Sequence, residues 1–346
     1  MRAARAFLAL LLFATAAATA AAPAPASYKK DLGPYLVVSE LLSWQDTARD
    51  RPVPVKIYSP ATGKGPFPVI VFSHGLGGSR EGYEYLGRQW ASQGYVAVHV
   101  EHLGSDTAAF KKGGRILKEL REAAADPANA LARPLDVRFV LDQLEKVNRG
   151  GSPLAHRLDL DRIGMAGHSF GAWTTLAVAG QAIGRLGSSA DPRIKAAIAM
   201  SAPAPRRRES LDRAYAGIHI PILHMTGTRD DSPLGETSAA ERRLAYDHIQ
   251  GADQYLVTFQ GGDHMIFSGR LLGDRGDREK DPLFHSLILQ STTAFWDAYL
   301  KGDTAAKAWL AQGGYAAVLG VDGKLEEKIS SPTPERKTGR VHGGLP

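Results

Sequence analysis

The 346-residue sequence contains no cysteine. That absence excludes disulfides, thiolate metal sites, a cysteine nucleophile and lipid anchors attached through sulfur. Beyond the N-terminus no stretch offers 18 uninterrupted apolar residues, so no stable membrane insertion is expected. No internal repeat is present. Charged residues make up 23% and hydrophobic residues 44%, values that argue against a disordered, collagen-like or coiled-coil chain. At about 150 residues per domain, the length allows two domains or one large α/β domain.

The net charge of +6 raises the question of a nucleic-acid or membrane partner. Arg2 and Arg5 precede an apolar core at 7–13 and a small-residue run through Ala22, with Ala18-Thr19-Ala20 as the best cleavage site. Residues 1–20 therefore read as a signal peptide, and the protein is expected to be exported, periplasmic or secreted. The apolar core is too short to span a bilayer of ~30 Å. Residues 21–35 read as a linker, 36–328 as the folded domain, and 329–346, rich in Pro and Gly without apolar periodicity, as a disordered tail. Two of the six excess positive charges lie in the signal and two in the tail, so the body keeps +2 and gives no reason to expect nucleic acid.

Between the ends, 36–44 and 53–58 read as an opening antiparallel strand pair. Strand-like and helix-like stretches then alternate. Strands are expected at 68–72, 95–100, 162–166, 194–200, 222–225 and 254–259. Helices are expected at 81–93, 134–147, 170–183, 238–249 and 283–300. The helix at 134–147 carries apolar Leu135, Val137, Val140, Leu141 and Leu144, and that at 238–249 opens on a Ser238-x-x-Glu241 capping box. This alternation predicts an α/β fold, a mostly parallel central sheet with helices on both faces. In such sheets ligands sit beyond the carboxyl ends of the strands, so chemistry is expected in the loops that follow them.

The loop after 162–166 is Gly167-His168-Ser169-Phe170-Gly171, a G-x-S-x-G sequence between a strand and an apolar helix. There a serine stands on a sharp strained turn, and the flanking glycines let strand and helix approach. A serine hydroxyl is a weak nucleophile and needs a base, an orienting acid and an oxyanion hole. After 222–225 comes Gly227-Thr228-Arg229-Asp230-Asp231, and after 254–259 comes Gly261-Gly262-Asp263-His264. The order Ser, Asp, His is that of the α/β-hydrolase arrangement. Asp230 is assigned as the acid and His264 as the base, with Asp231 as the adjacent competitor for the acid and Asp263 expected to point away. After 68–72 comes Ser73-His74-Gly75-Leu76-Gly77-Gly78, where the N–H of Leu76 can pair with that of Phe170 as the oxyanion hole. Arg80 stands where the third glycine of a dinucleotide fingerprint belongs, so that alternative fails.

With these motifs the chain resembles the α/β-hydrolase superfamily over most of residues 36–310. It is most similar to the branch described as predicted dienelactone hydrolases, related to platelet-activating-factor acetylhydrolases. The stretches that carry the likeness are Arg51-Pro52-Val53-Pro54-Val55-Lys56-Ile57-Tyr58, Val71-Phe72-Ser73-His74-Gly75-Leu76-Gly77-Gly78, Arg133-Pro134-Leu135-Asp136-Val137-Arg138-Phe139-Val140-Leu141 and the Ser169 loop. Dienelactone hydrolases use a cysteine nucleophile, which this chain lacks. The acetylhydrolases place their acid after the strand that follows the nucleophile. Here that strand, 194–200, runs into Ser201-Ala202-Pro203 without a carboxylate, and Asp230 matches the commoner position one strand later.

Other signals read as structural. His99 and His102 near a strand end make a poor metal pair, and no other spacing suggests a metal site. Arg206-Arg207-Arg208 reads as a solvated loop, Trp173 as core, and 104–132 as long enough for a lid that contains a helix at 116–124. The expected function is that of a serine carboxylic ester hydrolase working through an acyl-enzyme without a cofactor, on a small-molecule or polymeric ester. Polyester- or phospholipid-directed hydrolysis and acyl transfer are alternatives within the enzyme class, and an inactive binding module is the alternative outside it.

Overall fold

The computed structural model describes residues 26–110, 116–184, 187–268 and 279–329, so the expected signal peptide and nearly all of the expected tail lie outside the described residues. Strands β1 (Val37–Asp46), β2 (Arg51–Pro60), β3 (Phe67–Ser73), β4 (Val96–Val100), β5 (Leu158–His168), β6 (Ile194–Met200), β7 (Ile222–Arg229), β8 (Gln254–Asp263) and β9 (Gly323–Lys328) form one sheet in the order β1-β2-β4-β3-β5-β6-β7-β8-β9. The six strands from β4 to β8 across this order are parallel, while β1, β2 and β9 pair antiparallel at the flanks. This is the expected α/β-hydrolase architecture. The chain leaves β3 toward β4 on one side and returns to β5 on the other. The crevice beyond the carboxyl ends of β3 and β5 is thus a topological switch point, and it receives the Leu76 and Ser169 loops.

Side chains alternate across each strand. In β3, Ile70 and Phe72 join the core on one face, while Val69 and Val71 join that on the other. Helices α1 (Glu84–Ser92), α2 (Ile116–Ala125), α3 (Pro127–Arg149), α4 (Phe170–Ala179), α5 (Leu211–Tyr215), α6 (Leu244–His248), α7 (Asp281–Leu300), α8 (Thr304–Ala311) and α9 (Gly314–Leu319) cover the sheet. On the first face Trp90 of α1 packs on Phe72 and Phe295 of α7 on Tyr255 of β8, with Trp296 edge-on to Trp90, and on the second α3 brings Val137, Val140, Leu141 and Leu144 into the core shared with Val69 and Val71.

Several elements differ from expectation. Helix α3 begins at Pro127, capped by Asp126 through the N–H of Ala128, and Pro134 lies inside it rather than at its start. Both prolines carry a start signal, and Asp126 supplies a cap to the first of them. Leu135 is consequently exposed rather than buried. The capping box of Ser238 and Glu241 is present, but it opens a 3₁₀ turn (Ala239–Arg243) that passes into the short α6 instead of a single helix. Helices α5, α8 and α9 and strand β9 were not expected. Within the expected linker, Tyr28 is docked on α7, its N–H donating to Gln290 Oε1 and its hydroxyl to Asp297 Oδ2.

Candidate active site

Ser169 sits between β5 and α4 with φ 55° and ψ −117°, a conformation a non-glycine residue adopts only under constraint. The neighbouring glycines explain how the chain reaches it. A Cβ on Gly171 would fall 1.9 Å from the carbonyl oxygen of Ser73, and one on Gly167 would fall 2.3 Å from the carbonyl oxygen of Gly171. Only glycine lets α4 pack this closely on β3 and β5, and that approach brings the Ser73–Gly78 loop beside Ser169.

The loops after β5, β7 and β8 bring the three expected side chains into one hydrogen-bonded line. Ser169 Oγ lies 2.9 Å from His264 Nε2, and His264 Nδ1 lies 2.7 Å from Asp230 Oδ1. The consistent tautomer has Nδ1–H donating to Asp230 and Nε2 accepting from Ser169. Asp230 is fully buried, and its second oxygen accepts from the hydroxyls of Ser201 (2.6 Å) and Thr226 (2.8 Å). Burial by itself would raise its pKa. The His264 contact, the Arg242 charge and the Ser201 hydroxyl outweigh that, and the carboxyl is held below its ordinary value. Asp231 is exposed and accepts from the N–H of Ala239, and Asp263 accepts from the N–H of Met265, while the carboxylate on His264 Nδ1 is that of Asp230.

Leu76 and Phe170 lie where both border the Ser169 cleft. Phe170 opens α4, so its N–H is one of the first-turn donors that lack an intrahelical acceptor. The amides beside Leu76 are engaged, that of Gly75 with the Tyr83 hydroxyl (3.4 Å) and that of Gly77 with the Ser105 carbonyl (2.9 Å).

Three buried groups at the site escaped the sequence reading. Arg242, on the 3₁₀ turn, donates from Nε to the Asp230 carbonyl (3.0 Å) and from Nη1 to the Ser201 carbonyl (2.9 Å), and its Nη2 lies 3.1 Å from His264 Nδ1. Its Nε is also 3.2 Å from Asp230 Oδ1. One guanidinium thus ties the loops after β6, β7 and β8. His168, the second residue of the G-x-S-x-G sequence, donates from Nε2 to the carbonyl of His264 (2.9 Å) and accepts at Nδ1 from Tyr83 (2.8 Å). Burial, then the neighbouring His264, pushes its pKa well below the ordinary value, so it stays neutral and keeps this tautomer. Arg133, on α3, is fully buried beneath the Leu76 loop. The Ser238–Glu241 box fixes the turn bearing Arg242, and His168 and Arg133 lie in stretches singled out above, but none of these signals shows what the three side chains touch.

Two hollows meet at Ser169. A small one of about 90 Å³ is bordered by Tyr83, Leu120, Leu234 and Met265, and a larger one of about 300 Å³ by Phe170, Trp173, Pro203 and Arg242. Trp173 is half-buried and lines the larger hollow, a correction to its reading as core, because it stands on the side of the first turn of α4 that faces the cleft, while Gly171 and Ala172 of that turn pack inward. Of the stretch 104–132, α2 and the beginning of α3 border these hollows. In the arginine run, Arg206 stands at the rim paired with Glu236, and Arg208 pairs with Glu241. His99 bonds the Gly82 carbonyl and His102 bonds Ser73 and Asp136. Among the described residues no group of three His, Asp or Glu side chains is placed to hold a metal ion, and no helix is long and apolar enough to cross a membrane.

Residues 28–121 match the family profile described as platelet-activating factor acetylhydrolase, isoform II, and residues 159–266 match that described as serine hydrolase (FSH1). Curated relatives include the platelet-activating factor acetylhydrolases of Bos taurus (27% identical over 233 residues) and Canis lupus familiaris (30% over 235), each covering 58% of this chain and 48% of the relative. That of Cavia porcellus is 27% identical over 292 residues, 74% of this chain and 63% of its own length. The chain thus spans about half the length of the first two curated relatives. Taken with the sheet order, these matches place the chain in the α/β-hydrolase fold and show it to be similar to serine hydrolases, the platelet-activating factor acetylhydrolases among them.

Proposed function

We propose that the protein hydrolyses carboxylic esters through an acyl-enzyme on Ser169, with His264 as general base, Asp230 as orienting acid and the N–H groups of Leu76 and Phe170 as oxyanion hole. The observation that carries this reading is the unbroken line from Asp230 Oδ1 to His264 (2.7 Å) and from His264 to Ser169 Oγ (2.9 Å). In the first step His264 Nε2 takes the hydroxyl proton as Ser169 Oγ attacks the ester carbonyl. The ionised Asp230 fixes the tautomer and stabilises the imidazolium. The oxyanion of the tetrahedral intermediate accepts from Leu76 and Phe170, donors already oriented before the charge develops. His264 then returns the proton to the departing alcohol, and water repeats the cycle to release the acid.

The unequal hollows favour an asymmetric ester. A cavity of about 150 Å³ accommodates benzene, so the hollow of about 90 Å³ suits a group of roughly two to four carbons, with the larger part of the substrate in the other. The relatives' name favours a short acyl group on a larger alcohol, and a phospholipid-type ester is the second reading. We further propose that, of the stretch 104–132, α2 and the start of α3 cover the cleft as a lid, residues 111–115 lying outside the described residues, and that Arg2, Arg5 and the apolar run after them direct export. The test is a panel of p-nitrophenyl esters of two to sixteen carbons, a set of alkyl acetates, an acetylated phospholipid and a polyester film. Turnover restricted to substrates with one short side supports the reading, and equal rates across the acyl series contradict it.

A further inference from the structure

Arg133 is 0% exposed, and among the described residues no carboxylate lies within ion-pair distance of it. Burying an unpaired cation is expensive, so its surroundings must supply hydrogen bonds in compensation. They do, and those contacts converge on the two halves of the proposed oxyanion hole. Nη1 donates to the carbonyl of His74 (2.9 Å), two residues before Leu76. Nε donates to Ser105 Oγ (3.1 Å), and the carbonyl of Ser105 in turn accepts the N–H of Gly77, the residue after Leu76. The guanidinium carbon lies 4.4 Å from the centre of the Phe170 ring, a cation–π seat. Thr174 Oγ1, 3.4 Å from Nη1, donates to the Phe170 carbonyl at 3.0 Å.

The mount beneath Arg133 is a second Ser–His–Asp line. Nη1 donates to Ser73 Oγ (3.3 Å), Ser73 Oγ lies 2.9 Å from His102 Nε2, and His102 Nδ1 lies 3.0 Å from Asp136 Oδ2. Arg49 and Arg51 close the line on Asp136. All three members of the line are buried and none borders either hollow at Ser169, so this array cannot meet substrate. It joins the β1–β2 turn, β2, β3, the loop after β4 and α3 into a rigid support under one guanidinium.

We propose that Arg133 is the positioning residue of the oxyanion hole, fixing the Leu76 and Phe170 amides against each other from below. This rests on the esterase reading above. A planar fork with several donors and an aromatic seat suits such a role, and lysine cannot reproduce it. The effect falls on the transition state, because only there does the carbonyl oxygen carry the charge that both amides must meet together.

The experiment compares wild type, Arg133→Lys, Arg133→Met, Ser105→Ala and Ser169→Ala by kcat, KM and the inhibition constant of a trifluoromethyl ketone, which forms a tetrahedral oxyanion on the serine. Expected losses in kcat are about 100-fold for Arg133→Met, 10-fold for Arg133→Lys and 3-fold for Ser105→Ala, with KM within about threefold of wild type. The ketone should weaken in proportion to kcat/KM. If Arg133→Met does not fold, the lysine and Ser105 variants decide the question. Wild-type kcat and ketone affinity in those variants, or a rise in KM alone, would overturn the proposal. Activity retained by Ser169→Ala would instead overturn the esterase reading, whatever the Arg133 variants do.

Discussion

The Ser201 hydroxyl donates a 2.6 Å hydrogen bond to Asp230 Oδ2, joining the loop after β6 to the loop after β7. Ser201 occupies the place where the acetylhydrolase pattern puts its acid, and it takes φ 52° to do so. Asp230, proposed as the acid, comes from the next strand, bonds His264 and is gripped by the residue at the alternative position. The grip is buried and charge-assisted, so it holds Asp230 in one rotamer.

Asp230→Asn should therefore lower kcat by about 10³- to 10⁴-fold, since the amide favours the wrong imidazole tautomer. Asp231→Asn should stay within about twofold of wild type, because Asp231 is exposed and bonds the backbone amide of Ala239 on the capped turn. Steady-state kinetics on both variants decide the assignment.

Arg242→Met removes the guanidinium that ties three loops and faces both Asp230 and His264. A loss of about 10- to 100-fold in kcat with little change in KM is expected, with a lower Tm, since a buried carboxylate loses one partner. Arg242→Lys should recover part of the Tm and less of the rate, because lysine keeps the charge without the fork. Calorimetry and kinetics on the two variants separate these effects.

Much of this arrangement was legible in the sequence for a physical reason. Parallel strands appear as short apolar runs, and the loops after them carry residue types that turn geometry alone does not demand: Ser169 between glycines, Asp230, and His264. Arg242 and Arg133 were illegible because their partners are backbone carbonyls and side chains from loops far apart in the chain. An arginine beside Pro134 or inside a polar turn looks like a solvated charge until tertiary contacts bury it. The extra turns of α3 were hidden by Pro134, which reads as a helix start. Trp173 was misplaced because the small and apolar residues of α4 give no clear period to show which side faces the cleft. Strand β9, Gly323–Lys328, is a charged edge strand without an apolar run, so its pairing with β8 had no signal of its own.

Stability should fall steeply on mild acidification. Burial holds His99 down to about 3 and His102 and His224 down to about 4, and it holds His74 and His168 well below the ordinary value. All five remain neutral in the folded protein while the unfolded chain takes up protons near pH 6.5. Unfolding then binds protons, so stability is complete above about pH 6.5 and is lost from there down toward the folded pKa values. Each histidine contributes up to about 1.4 kcal/mol per pH unit within that window. Tm measured from pH 8 to pH 5 should drop below pH 6.5, and a Tm flat to pH 5 would contradict this.

Leu120 of α2 is buried and borders the smaller hollow. Leu120→Ala should lengthen the tolerated short side of the ester by about one or two carbons, with kcat on the shortest substrate changed by no more than about fivefold. The ester panel run on this variant reads the shift directly.

The most direct measurement of the central claim is kcat/KM of Ser169→Ala beside wild type on p-nitrophenyl acetate, with wild type treated in parallel with a fluorophosphonate and the modified peptide identified by mass spectrometry. A fall of about 10⁴-fold or more, together with a single adduct on Ser169, is the predicted result. Activity retained by Ser169→Ala, or an inactivating adduct on another residue, would contradict it.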